Sequence, residues 1–146
     1  MNDIDRISAE VVDAAIHIHR ELGPGLLESV YEAVLAASLA RSGLKVVRQQ
    51  PIDINYDEMR FEAAFGVDLI VDMQLIVEIK SVDRLAPVHA KQLITYLRLM
   101  NQPVGLILNF GGETMKEGIR RLVNNYHCPS SSVSPRLRAK SEYGNS

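Results

Sequence analysis

Gly66-Val67-Asp68-Leu69-Ile70-Val71-Asp72-Met73-Gln74-Leu75-Ile76-Val77-Glu78-Ile79-Lys80 is the stretch that decides the fold. Val67, Leu69 and Val71 alternate along its first half, and Leu75, Val77 and Ile79 along its second. Side chains on a strand point to opposite faces in turn. Burying both sets in one apolar layer therefore sets the register of a hairpin whose loop is Asp72 to Gln74. With Val71 opposite Leu75, Asp68 falls opposite Glu78 and Lys80 opposite Gly66, all on the face away from that layer. Directly opposed side chains have Cβ atoms about 5 Å apart, and like charges so placed repel. A divalent cation is the natural compensation, and the glycine opposite Lys80 leaves space for a pocket.

Upstream, Ile4, Ile7, Val11, Ala14, Ile18 and Leu22 recur at helical spacing, which predicts a helix over about 4–21. Gly23-Pro24-Gly25 breaks it. Leu27, Val30, Tyr31, Val34, Leu35 and Ala37 continue in a second helix that ends at Gly43 as its C-terminal glycine. Residues 44–56 read as a strand in which Pro51 demands an edge or a bulge. A turn near Asp57-Glu58 leads into the first arm of the hairpin, giving three consecutive antiparallel strands. Downstream, a helix over about 88–100 precedes the apolar run Val104 to Leu108, a further strand. The segment 117–123 reads as a short helix or a closing strand, with the strand preferred. The pattern implies a mixed α/β sheet flanked by helices.

The length of 146 residues suits one domain with a substantial core, and the apolar content of 47% agrees. We expect that domain over 1–126 and a disordered polar, basic tail over 127–146, rich in Ser, Pro, Arg and Lys. The net charge of −2 excludes bulk basicity as a route to nucleic acid. Cys128 is the only cysteine, so an internal disulfide and a cysteine-built zinc site are excluded. Neither a signal peptide nor a membrane span is expected, which points to a cytoplasmic protein.

An acid, one spacer and a lysine arise by chance about once in a chain of this composition. By itself Glu78-Ile79-Lys80 is better read as the solvated face of an amphipathic hairpin. The register with Asp68 tips the balance. Mg²⁺ or Mn²⁺ takes carboxylate, carbonyl and water oxygens, which Asp68, Glu78 and the main-chain carbonyl of Ile79 supply. Such an ion polarises a phosphoryl oxygen and acidifies bound water, and Lys80 lies on the same face to orient that water or stabilise charge on the phosphate. The set suits phosphodiester hydrolysis.

His89, Gln92 and Tyr96 share one side of the helix that follows, either beside this site or on a half-solvated face. Glu28, early in the second helix, reads locally as a residue of the helix start, interacting with the dipole or closing a capping box, and its neighbour Tyr31 as a packing residue. His17 reads as surface and His19 as part of the turn into Gly23. Arg84, Lys91 and Arg98 are solvated charges that offer themselves to phosphates.

Gly25-Leu26-Leu27-Glu28-Ser29-Val30-Tyr31 matches the motif of the GxxExxY proteins, and His19-Arg20-Glu21-Leu22-Gly23-Pro24 resembles that family's lead-in. The similarity runs from about Asp5 to Asn125. It implies membership of the PD-(D/E)XK nuclease superfamily and a restriction-endonuclease-like core. In that superfamily the metal site combines an acid ahead of the first core strand, an Asp on one hairpin strand and E-x-K on the next; here these are Glu28, Asp68, Glu78 and Lys80. Gln92 and Tyr96 match the Q-x-x-x-Y element of the branch with exonuclease domains of recombination helicases. Val67 stands where the superfamily name has proline, a variable position. The resemblance thus implies a Mg²⁺- or Mn²⁺-dependent nuclease acting on DNA, targeted through a homodimer or a partner protein. The alternative is a non-catalytic module on the same fold that holds nucleic acid or protein.

Overall fold

The computed structural model describes residues 3–125, and the tail expected over 127–146 lies outside them. Helices α1 (Asp3–Leu22) and α2 (Glu28–Arg41) precede strands β1 (Val46–Tyr56), β2 (Met59–Val71) and β3 (Leu75–Lys80). Then follow α3 (Pro87–Met100), β4 (Val104–Asn109), the single turn α4 (Met115–Gly118) and β5 (Ile119–Val123). The five strands form one sheet in the order β1-β2-β3-β4-β5. Only β3 and β4 run parallel, because α3 carries the chain back between them; every other neighbouring pair is antiparallel.

The hairpin has the expected register, with Val71 opposite Leu75, Ile70 opposite Ile76 and Leu69 opposite Val77. Asp72 and Met73 both take positive φ, and the Gln74 amide donates to the Val71 carbonyl at 3.0 Å, the mark of a tight primed turn. Helix α2 ends as its glycine implies. Gly43 is left-handed at φ +96°, its amide donates to Ala40, and the Leu44 amide donates to Leu39, so the last carbonyls find partners.

Both faces of the sheet are covered. On one, Ile7, Val11, Ala15 and Ile18 of α1 and Tyr31, Leu35 and Leu39 of α2 pack on Leu69, Val71, Leu75, Val77 and Ile79. On the other, Leu93, Leu97 and Met100 of α3 cover Ile70, Ile76 and Ile107. A strand buried on both faces reads as a continuous apolar run, as β4 does.

Three expectations need correction. Val67 joins the α3 layer with Ile52 and Phe65, not the layer of Leu69 and Val71, so the alternation along β2 breaks at Asp68. Gly66 does not face Lys80: the β2–β3 ladder has ended by then, and Gly66 pairs with Pro51 of β1 instead. His19 is no turn residue. Helix α1 continues to Leu22, His19 is buried, and its Nε2 bonds the Gly112 carbonyl at 2.9 Å. Pro51 is accommodated because β1 is an edge strand, and the register shifts between Ile52 and Ile54. The segment 117–123 divides, with Glu117 and Gly118 closing α4 before β5 begins.

Buried Asn109, at the end of β4, clamps the loop after β3. Its Oδ1 accepts from the Val82 amide at 2.9 Å and the Gly111 amide at 3.1 Å, while its Nδ2 donates to the Val82 carbonyl at 2.9 Å. Gly111 is required by this contact, since a Cβ there would lie 2.3 Å from the Val82 carbonyl oxygen. Backbone cannot swing aside as a side chain can. Gly111→Ala should therefore cost about 1–3 kcal/mol in urea unfolding, whereas Gly112→Ala, whose Cβ meets nothing nearer than 3.6 Å, should stay within about 0.5 kcal/mol. Equal effects at the two positions would refute the clamp.

Candidate active site

Strands β2 and β3 part after Leu69–Val77. Beyond that point, side chains replace the ladder. The Asp68 amide donates to Glu78 Oε2 at 2.8 Å, and the Ile79 amide donates to Asp68 Oδ2 at 2.8 Å. Each carboxylate thus accepts from the backbone of the opposite strand, a charge-assisted bond roughly twice as strong as a neutral one. Within a strand residue the N–H and C=O point to the same edge, so the Ile79 carbonyl also faces this opening.

Glu78 is buried. Its carboxyl is pushed up to about 7, first by burial, then by the Asp68 charge, with a smaller contribution from Glu28; the Asp68 amide and the Lys80 charge oppose the rise. Lys80 is half-buried, and its carbonyl accepts from the Phe110 amide at 2.8 Å. Among the described residues its ammonium has no ion pair within 4.0 Å.

Glu28 opens α2 and is exposed, and its Oε2 accepts from the Ser81 amide at 3.3 Å. Ser81 Oγ in turn donates to the Leu26 carbonyl at 2.8 Å. The start of α2 is thereby tied to the residue after Lys80. No side chain caps α2, so the capping-box reading of Glu28 gives way to this long-range contact. Tyr31 is buried and packs as expected, its ring stacked on Phe110 with centroids 4.4 Å apart. Its hydroxyl donates to the Gly23 carbonyl and accepts from the Leu26 amide, which pins the loop before α2.

On α3, Tyr96 is half-buried and stacks on Phe65 at 4.3 Å. Its phenol pKa is raised by burial and by the charges of Glu78 and Asp68, so it lies within their field. Gln92 is exposed on the same helix. His89 is committed to the helix start: its Nδ1 accepts from the Ala86 amide at 3.0 Å while its own amide donates to the Ala86 carbonyl at 3.0 Å.

A second set of polar residues was not anticipated from sequence. Gln49 of β1 takes a left-handed backbone at φ +51°, and its Nε2 donates both to Glu32 Oε1 and, at 3.2 Å, to Asp68 Oδ1. Buried Glu32 also accepts from Arg48 Nε at 3.0 Å. One trace existed in the sequence. Glu32 lies one helical turn beyond Glu28, on the same side of α2.

A family model of the PD-(D/E)XK nuclease superfamily matches residues 5–122. The chain belongs to that superfamily. No curated protein and no solved structure matches it. The mixed five-stranded sheet flanked by helices is the restriction-endonuclease-like core that membership implies. PD-(D/E)XK nucleases typically use divalent metals. Among the described residues no group of three or more His, Cys, Asp or Glu side chains is gathered as a metal cage. The donor chemistry nevertheless fits. Asp68 and Glu78 adjoin, burial and then the Asp68 charge raise the Glu78 pKa, and an ionised carboxylate, with about four lone-pair sites, retains some for a cation beside the bonds it accepts here. A hollow of about 410 Å³ lined by Leu26, Leu27, Glu28, Ser29 and Ser81 adjoins the Glu28 end. Larger hollows of about 570 and 500 Å³, along α1, are lined by none of the candidate residues.

The Glu78 shift has a thermodynamic consequence. Its folded pKa exceeds the ordinary 4.5, so its contribution to stability is complete below about 4.5 and is lost as pH rises through about 7. Urea unfolding in EDTA should show wild type losing stability relative to Glu78→Gln between pH 4.5 and pH 8, by up to roughly 3 kcal/mol. Parallel pH profiles for the two proteins would contradict the shift.

Proposed function

We propose that this protein is a metal-dependent nuclease that hydrolyses phosphodiester bonds in DNA. The observation that carries the reading is the pairing of Asp68 with buried Glu78 at the point where β2 and β3 part, with Lys80 two residues beyond Glu78 on the same strand face. In the proposed site Asp68, Glu78 and the Ile79 carbonyl hold Mg²⁺ or Mn²⁺, with Glu28 joining through water. The ion supplies Lewis-acid polarisation of the phosphoryl oxygen and acidifies water. Lys80 orients the attacking water and offsets the charge that gathers on the phosphate as the P–O bond breaks. Gln92 orients Lys80 or a phosphate, and Tyr96 supports α3 against the site by its stack on Phe65. His89 and Tyr31 act at a distance, one by holding the start of α3 and the other by pinning the loop ahead of Glu28. No described helix is long and apolar enough to cross a membrane, and we place the protein in the cytoplasm. With net charge −2, its delivery to DNA would depend on a homodimer or a partner protein.

A second reading is a non-catalytic module that binds nucleic acid or protein. The net charge of −2, which gives no bulk attraction for nucleic acid, favours it. Two measurements separate the readings. With Mg²⁺ or Mn²⁺, the purified protein should cut at least one of single-stranded, duplex and branched DNA, and Asp68→Ala and Lys80→Ala should each lower the rate about 100-fold or more. Lys80→Ala should leave Mn²⁺ affinity by calorimetry within about threefold of wild type, since its role is with water and phosphate. Cleavage that survives both substitutions sinks the nuclease reading; absent Mn²⁺ binding with intact partner binding establishes the module.

A further inference from the structure

Gln49 stands out in β1 because its backbone is left-handed, a conformation that residues with a side chain adopt rarely and mostly as Asn or Asp. Its side chain explains what that conformation achieves. The amide nitrogen carries two protons and meets two carboxylates, Glu32 Oε1 and Asp68 Oδ1. Glu32 is buried and its second oxygen is taken by Arg48, so it is a fixed acceptor. An ionised carboxylate accepts and cannot donate. Glu32 therefore decides which end of the Gln49 amide turns inward, and the end that reaches Asp68 is the donor.

Asp68 is then held at both oxygens. Oδ1 accepts from Gln49 and Oδ2 from the Ile79 amide. Two donors from different strands, β1 and β3, fix the plane of the carboxylate that lies on β2 between them. Without Gln49, one bond would remain and the group could turn about it.

We infer that Gln49, oriented by Glu32, is a positioning residue that holds the Asp68 carboxylate in the attitude in which it receives a divalent cation. The inference rests on the metal-binding reading of Asp68 proposed above. Gln49 touches neither metal nor substrate in this role. Partners that orient a ligating side chain in this way typically change metal affinity 10–100-fold when removed.

The decisive variant is Gln49→Gly. Glycine adopts the left-handed backbone at no steric cost, so the substitution removes both side-chain bonds while easing the main chain. Calorimetric titration with Mn²⁺, without nucleic acid, should show Kd raised about tenfold or more, with the thermal midpoint in EDTA no more than a few degrees from wild type. A purely structural role would lower the midpoint and leave Kd alone. Glu32→Gln provides an independent arm, because glutamine there both donates and accepts and no longer dictates the Gln49 amide; Kd should rise at least about threefold. Wild-type Mn²⁺ binding that persists unchanged in both variants overturns the positioning role alone. Wild-type protein that binds no Mn²⁺ overturns the metal reading and the positioning role with it.

Discussion

The reciprocal bonds between Asp68 and Glu78 and the backbone of each other's strands are the constraint on which the rest of the structure depends. They stand where ladder bonds would otherwise be. An amide left without a partner in a part-buried place costs roughly 1–3 kcal/mol, and two would be stranded at the parting of β2 and β3. The carboxylates satisfy both, and the amides in turn offset part of the repulsion between two acids. Burial and repulsion still show at Glu78, whose carboxyl stands at about 7.

The two strands part while each stays paired on its other edge. Strand β3 is bound to β4 through Lys80 and Asn109, while β2 follows β1 as far as Tyr56 and Met59. Asp68 and Glu78 sit at the fork, and Val67 changes layers immediately beyond it. The far side of the fork is then made rigid by contacts distant in sequence: Asn109 and Gly111 on Val82, Phe110 on the Lys80 carbonyl, and Tyr31 stacked on Phe110. Helix α2 brings Glu28 to Ser81 through this same group of contacts. A side-chain set on separate elements acquires precision only when the elements are locked to one another.

What could be read from sequence was whatever depended on neighbours close along the chain. Period-two alternation determines the hairpin and its register from Leu69 to Val77, and the Gly43 terminus of α2 needs only a helix and a glycine. Strand β4 and helix α3 follow from an apolar run and a helical period. Features set by distant partners were not legible. Nothing near His19 announces a carbonyl at Gly112, and nothing near Glu28 announces the Ser81 amide. Val67 obeys the alternation in sequence and departs from it in space, beyond the last residue of β2 that pairs with β3. Only the resemblance to other proteins singles out Glu28 as more than a residue of the helix start. Gln49 carries no local signal, since a left-handed residue within a strand is a response to tertiary contacts.

On the nuclease reading, the charges gathered around the fork reconcile a net charge of −2 with an anionic substrate. Glu32 is matched by Arg48 and, beside the site, counts as neutral. Glu28, Asp68 and Glu78 then face the single ammonium of Lys80. With Glu78 protonated the group is left with one excess negative charge, and with it ionised, two. A proton held near neutrality is easily exchanged for a stronger positive charge, and cation binding that expels it is the familiar coupling of metal affinity to pH. On the nuclease reading the same acids that would repel a phosphate become, once a dication is held among them, its anchor. Lys80 is then released from balancing Glu78 to act on the substrate. On that reading the acidity of the site and its affinity for phosphate are one property, expressed without and with the ion.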